Sequence, residues 1–304
     1  MFEKASKNFS FVGHFKLFGI ISIILCSIGL AGIILSCFGV SAFNFDIEFV
    51  GGVKMDMELG VPVTQAVQDD IAAIFKDVAG VTAGVTTSGD SGTGVTVKTV
   101  EISSELRQQA FDAVAEKYGE ENVVMLGTRY VSATVGNDLK RSALISALIA
   151  CALILVYISF RFEFRSGLAA IVCLLHDVLI MLSLFVVFKI PMNMTFIAAA
   201  LTIIGYSINA TIVVFDRVRE NYRRQGNGGD FAACVDKSVW QSMRRSIGTT
   251  ITTLLPIVLI LILGVSSIRV FAIPLVIGVV AGGYSSTCIA GPLWNKLKGS
   301  KAKA

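Results

Sequence analysis

GYSINATIVVFDRVREN, residues 205 to 221, is apolar enough to sit in lipid, yet it carries Ser207, Asn209 and Thr211 and ends in a run of charges. A soluble helix would turn such groups to water. A membrane span must satisfy them against other protein or along a polar path. The rest of the chain decides for the membrane: 54% of its 304 residues are hydrophobic, only 16% are charged, and the mean hydropathy is +0.73, far from the profile of ordinary soluble domains.

Working outward, six stretches approach the roughly 20 apolar residues that cross a bilayer: 17–40, 142–160, 167–188, 195–215, 247–264 and 268–293. The expected organisation is a tail and first span over 1–40, a polar folded domain over 41–141, a five-helix bundle over 142–295 with a loop at 216–246, and a basic tail at 296–304. Lysine and arginine set the orientation, because basic flanks resist translocation. Lys4, Lys7, Lys16, Arg161, Arg165, Arg217, Arg219, Arg223, Arg224, Lys237, Arg244, Arg245, Lys296, Lys298, Lys301 and Lys303 fall on one side, against Lys189 and Arg269 in the short loops opposite. Both termini are therefore expected in the cytoplasm and the large domain outside. The net charge of +4 is a topological signal, and no basic stripe interleaved with exposed aromatics points to nucleic acid.

Of six cysteines, five fall in spans (Cys26, Cys37, Cys151, Cys173, Cys288) and Cys234 in the expected loop. The large domain has none, so it carries no disulfide framework, and no Cys/His spacing suggests a metal or a cofactor. The apolar run behind Lys4, Lys7 and Lys16 is longer than the core of a secretory signal and is read as an uncleaved anchor.

In the large domain, Val53, Met55, Met57 and Leu59 alternate with Lys54, Asp56 and Glu58 as in a half-buried strand. Pro62 and Thr64 open a helix with Val67, Ile71, Ile74, Phe75 and Val78 on one face. Strands over 81–87 and 93–100 flank the turn SGDSG, a helix follows from Ser103, and 123–126 is a last strand. The order βαββαβ is that of split, ferredoxin-like α+β domains. Fifteen of the 22 acidic residues lie here, none beside a nucleophile or at metal-ligand spacing, which makes them a solvated surface.

Inside the expected bundle, Asp177 follows His176 midway along the third span. An ionised aspartate there costs about 2.5–3.5 kcal/mol on insertion scales, so it faces the bundle, is paired or is protonated. Two roles stay open, a hydrogen-bonded brace or a proton carrier. In the fourth span Ser207, Ala210 and Thr211 share a helical face, with Gly205 and Asn209 on another close to it. The fifth span opens with Arg244 and Arg245, carries Thr249, Thr250, Thr252 and Thr253, and has a kink expected at Pro256. The sixth places Gly278 and Gly282 at the spacing of a helix-packing contact. Gly205-Tyr206-Ser207 also reads like the GxS of an intramembrane serine protease of the rhomboid kind, but such a dyad needs a histidine base and the sixth span has none.

FDIEFVGG (45–52), VYISFRFEFR (156–165), LLHD (174–177), GYSINATIVVFDRVREN (205–221), RRSIGTTITTLL (244–255) and GGYSS (282–286) together resemble the signature blocks of SecF in the SecD/SecF family, over nearly the whole chain and in order. The resemblance implies an RND-like half of six membrane helices with a ferredoxin-like domain after the first. It implies a non-enzymatic role in protein export across the bacterial cytoplasmic membrane, drawing on the proton or sodium motive force. The partners it implies are SecD, the SecYEG channel, SecA, a YidC-type insertase, unfolded secretory proteins as clients and the surrounding membrane lipids. Asp177, His176, Ser207, Asn209, Thr211 and Arg245 are then the ion-relay or intramembrane polar candidates, Gly205, Gly278 and Gly282 the packing positions, and Glu48, Gly51 and Gly52 the entry motif. Two positions depart from the family pattern. The fourth-span block opens GYSIND in the family, and its aspartate, regarded there as the proton carrier, is Ala210 here. Glu48 replaces the entry aspartate. A passive scaffold for SecD and an RND-like exporter of lipids or small molecules are the competing expectations.

Overall fold

The computed structural model describes residues 9–40, 42–89, 92–226 and 229–299. They form two compact units, one built from residues up to 44 and from 145 onward, the other from 45–144.

The second unit is the α+β insert. Strands β1 (Gly52–Glu58), β2 (Gly84–Ser88), β3 (Gly94–Thr99) and β4 (Val124–Val131) alternate with helices α2 (Gln65–Ala79) and α3 (Ser104–Tyr118). The sheet order is β2-β3-β1-β4 with antiparallel neighbours, which makes β1 central and gives the expected split topology. Met55 and Met57 point from β1 to the covered face and are fully buried with Val95, Val97, Ile71, Phe75 and Ala110. Both helices start where sequence capping rules place them. The Thr64 hydroxyl accepts from the Val67 amide and the Ser103 hydroxyl from the Leu106 amide. Asp90 and Ser91 of the SGDSG turn lie outside the described residues.

Among the described residues six helices are long and apolar enough to cross a membrane: α1 (Phe15–Cys37), α4 (Ala133–Arg161), α5 (Phe164–Val187), α6 (Met194–Gln225), α7 (Phe231–Leu263), and a sixth made of α8 (Ser266–Tyr284), a π turn (Ser285–Ala290) and α9 (Gly291–Gly299). Their surfaces invert those of a soluble bundle. Ile247, Ile251, Leu255 and Leu259 make an exposed apolar stripe on α7, while Ser166, Asp177, Ser207, Ser238 and Ser285 are buried.

Several helices run well past the apolar windows. The segment expected as a loop over 216–246 is helical up to Gln225 and again from Phe231. The reason is packing: Val214, Phe215, Val218, Val235 and Val239 interlock with Ala169, Cys173, Ala290 and Trp294 in the bundle's main core, at its basic end. A hydropathy window registers only the lipid-exposed length and misses polar helix stabilised by such contacts. Helix α4 likewise begins ahead of its apolar run, at Ala133 rather than 142. Pro256 lies within the continuous helix α7.

Close approach of α1 to α5 depends on Gly29. A Cβ there would lie 2.7 Å from both the Leu179 carbonyl oxygen and Ser183 Oγ. The Ser183 hydroxyl bridges the two helices, accepting from Gly29 N–H at 2.8 Å and donating to Leu25 O at 2.7 Å.

Candidate functional site

Asp177 is 1% exposed and sits at the meeting point of four spans. Its Oδ2 accepts from Ser207 Oγ on α6 at 2.5 Å and from Ser285 Oγ in the π turn at 2.9 Å, and its Oδ1 lies 2.9 Å from Nδ1 of His176. His176 Nε2 is 3.1 Å from Ser22 Oγ on α1, which is 3.3 Å from the Tyr284 hydroxyl, and Tyr284 donates to the Phe18 carbonyl at 3.1 Å. The sequence neighbours Asp177 and His176 are thus joined to Ser22, Ser207, Tyr284 and Ser285, which sequence spacing could not pair with them.

The local chain makes this node possible. Gly278 and Gly282 let α8 press against α6: a Cβ on Gly278 would lie 2.5 Å from Ile203 Cγ1, and one on Gly282 would lie 3.1 Å from Ser207 Cβ. Directly after this contact the helix widens into the π turn, whose first residue is Ser285. Such turns are frequent where a helix must redirect a functional side chain.

Proton bookkeeping leaves this network two arrangements. Tyr284 spends its proton on the Phe18 carbonyl, so a Ser22–Tyr284 bond uses the Ser22 proton, and His176 Nε2–H then donates to Ser22. His176 Nδ1 then either faces a carboxylic acid as an acceptor or belongs to a cationic ring facing a carboxylate. Alternatively Ser22 donates to Nε2 and Nδ1–H donates to Asp177. The heavy atoms fit both, since hydrogen positions are assignments from geometry. Chemically, the node can hold or relocate one proton. The Ser207 hydroxyl meets Asp177, and the ring nitrogens of His176 face Asp177 and Ser22, so the serine–histidine dyad of the protease expectation is not formed.

The other polar candidates lie elsewhere. Thr211 is buried one turn beyond Ser207. Gly205, Asn209 and Arg245 are exposed, on a face of α6 and α7 that this chain leaves uncovered. Arg245 borders a cavity of about 40 Å³ with Tyr206, Asn209, Ala210, Val213, Ser246 and Thr249. It also borders an outer vestibule of about 280 Å³ with Asp216, Arg217, Glu220, Gln241 and Ser242. The polar set expected from sequence therefore divides into an enclosed Asp177 node and an open Asn209–Arg245 face. Tyr206 and Ser246, which line the small cavity, were not singled out by the sequence, because a lone tyrosine or serine in a span carries no spacing signal.

In the entry motif, Glu48 lies in a single helical turn, Ile47–Val50, followed by Gly51 at φ 80° and Gly52 at φ 127°. A Cβ on Gly52 would collide with the Thr99 carbonyl oxygen, so the second glycine is required by the backbone of β3. Among the described residues no group of three or more His, Cys, Asp and Glu side chains is placed to hold a metal ion.

Comparison with known proteins identifies the company this chain keeps. The family model for the protein export membrane protein SecD/SecF, C-terminal, matches residues 109–300. The protein translocase subunit SecF of Acidaminococcus fermentans is 38% identical over 296 residues, covering 95% of this chain and 97% of that protein. The protein translocase subunit SecDF of Bacillus subtilis is 36% identical over 280 residues, covering 91% of this chain and 37% of that longer protein. The crystal structure of SecDF, a translocon-associated membrane protein from Thermus thermophilus, superposes with a TM-score of 0.81 at 30% identity, covering 94% of this chain and 38% of that one.

Proposed function

Because the chain belongs to the SecD/SecF family, as a SecF protein translocase subunit in protein export, we propose that it works with SecD to couple an ion gradient to export, and that SecD supplies the principal titrating carboxylate. Moving one elementary charge through 100 mV is worth about 2.3 kcal/mol.

The observation that carries this proposal is the uncovered face of α6 and α7. Thr202, Gly205 and Asn209 follow one another at helical spacing on α6, and Arg245, Gly248, Thr249 and Thr252 do so on α7, all exposed. The threonines donate to their own helix backbone, Thr202 to Ala198 O, Thr249 to Arg245 O and Thr252 to Gly248 O. The Asn209 carboxamide and the Arg245 guanidinium have no partner among the described residues. Lipid is a poor neighbour for either group, whereas a second bundle meeting small residues at close range is a good one. SecDF of Bacillus subtilis carries both names on one chain, which supports SecD as the occupant.

Asp177 serves in this scheme as a brace. Both of its oxygens are engaged within the same chain, Oδ2 by Ser207 and Ser285 and Oδ1 by His176. Basic residues gathered at one end of the bundle support a cytoplasmic location for both termini and an extracytoplasmic insert. SecYEG, SecA, a YidC-type insertase and unfolded clients are the expected assembly.

Copurification with SecD and the channel, followed by export assays with and without the gradient, tests the proposal. A transducer predicts variants of the α6/α7 face that assemble yet lose gradient stimulation. If every such variant only abolished assembly, the subunit would be a passive scaffold; full function without Sec components would make it a free-standing exporter.

A further inference from the structure

We propose that the small cavity beside Arg245 binds a monatomic anion of the chloride class. Its lining is rich in donors. Ser246 is 5% exposed and its Oγ is buried without a hydrogen-bond partner, and the buried Tyr206 hydroxyl likewise has none. Both line the cavity together with the Asn209 carboxamide and the Arg245 guanidinium. Ala210 and Val213 close it with apolar wall, and the Thr249 hydroxyl has its proton committed to backbone carbonyls of its own helix.

Carboxylates are absent from this lining. The nearest candidates belong to the vestibule, where Glu220 is paired with Arg217 at 2.7 Å and Arg224 at 2.7 Å, and Asp216 faces Arg161 at 3.8 Å. Arg245 is left with a positive charge beside a cavity that offers protons and no counter-charge. A cation is repelled there by the guanidinium, and water answers the hydroxyls without supplying the negative charge that the guanidinium attracts. An anion satisfies both requirements at once.

Size and access agree. A water needs about 10–15 Å³ of such space, so a cavity of about 40 Å³ takes a halide together with part of its hydration shell. Val213 and Arg245 line both the cavity and the open vestibule, giving an entry from the basic end with the guanidinium at the threshold.

The test uses the full chain in nanodiscs and needs neither SecD nor export, so its failure leaves the export proposal standing. Chloride binding is read from excess ³⁵Cl NMR line broadening that bromide displaces, and from a rise in Tm in sodium chloride over sodium gluconate at equal ionic strength. Both effects are expected in the wild type and absent in Arg245→Gln, with Arg245→Lys retaining a weakened site. Ser246→Ala is expected to weaken binding about tenfold, as for one lost hydrogen bond to a charged group. Ala210→Asp builds a carboxylate into the cavity and is expected to remove the chloride response. Identical behaviour in chloride and gluconate for the wild type, or an undiminished chloride response in Arg245→Gln, overturns the proposal.

Discussion

Replacing Asp177 by asparagine and by alanine separates the two roles left open by the sequence. Alanine removes the acceptor of Ser207, Ser285 and His176 together. At the mean of about 0.6 kcal/mol measured for hydrogen bonds between membrane helices, three such bonds amount to about 2 kcal/mol. Stranding buried hydroxyls and opening a void raises the cost to roughly 3–4 kcal/mol. Asparagine keeps the shape. Its carbonyl oxygen can accept from both serines, and its amide can donate to His176 Nδ1 once the ring carries its proton on Nε2 and donates to Ser22. The expected loss is under about 1 kcal/mol. Thermal unfolding of the SecD-bound complex measures both variants, and export with and without the gradient is followed in cells. If Asp177 is a brace, Asp177→Asn leaves gradient-dependent export intact while Asp177→Ala lowers the amount of folded complex. An Asp177→Asn complex of normal stability that no longer responds to the gradient would refute the brace and make Asp177 a carrier.

Gly278→Ala would bring a methyl to within 2.5–2.9 Å of three Ile203 carbons, an overpacking expected to cost about 1–3 kcal/mol in a thermal unfolding assay. A Cβ at Gly205 meets no atom within 4 Å in this chain, so Gly205→Leu should fold normally yet fail to copurify with SecD; wild-type copurification would move the partner to another face. In the insert, Phe75 is fully buried, and Phe75→Ala should destabilise a 45–144 fragment by about 3–5 kcal/mol in urea. Lys117 and Tyr118 donate to Asp70 and hold its carboxyl below the usual range, while burial and then Asp70 push the Tyr118 hydroxyl up to about 12. The depressed aspartate contributes stability above its unfolded pKa of about 3.9 and loses it as pH falls through the lower folded value. The raised tyrosine contributes stability below its unfolded value near 10 and loses it as pH rises towards 12. Urea midpoints of the fragment at acid and alkaline pH should show both losses, and Tyr118→Phe should reduce the alkaline one, to which Tyr130, raised by its hydrogen bond to Glu101, also contributes.

The sequence made the architecture legible where one physical rule acts alone. Apolar length marked the six spans, period-two alternation marked β1, and Thr64 and Ser103 announced the helix starts they cap. It fell short where two rules compete. Residues 216–225 and 231–246 are polar enough to read as loop, yet one face of each is apolar and locks into the core around Trp294. Adjacency hinted that His176 and Asp177 act together, and helical spacing put Ser207 and Thr211 on one face. Ser22 and Ser285 carried no such hint, because what joins them to Asp177 is the glycine contact of α8 with α6 and the π turn beyond it. Arg245 was visible as a residue, but its solitude was visible only as a family departure at Ala210. The cavity beside it arises only where α6 and α7 pack together.

The Asp177 node also constrains how the protein is made. Its side chains come from the first, third, fourth and sixth spans, so a chain emerging from the ribosome cannot close the network until its last helix has entered the bilayer. Until then the carboxyl and imidazole remain a mark of incompleteness inside the membrane, available to whatever proteases or insertases inspect unfinished proteins. A nascent chain stopped before Tyr284 should for that reason be short-lived, even though five of its six crossings are already in place.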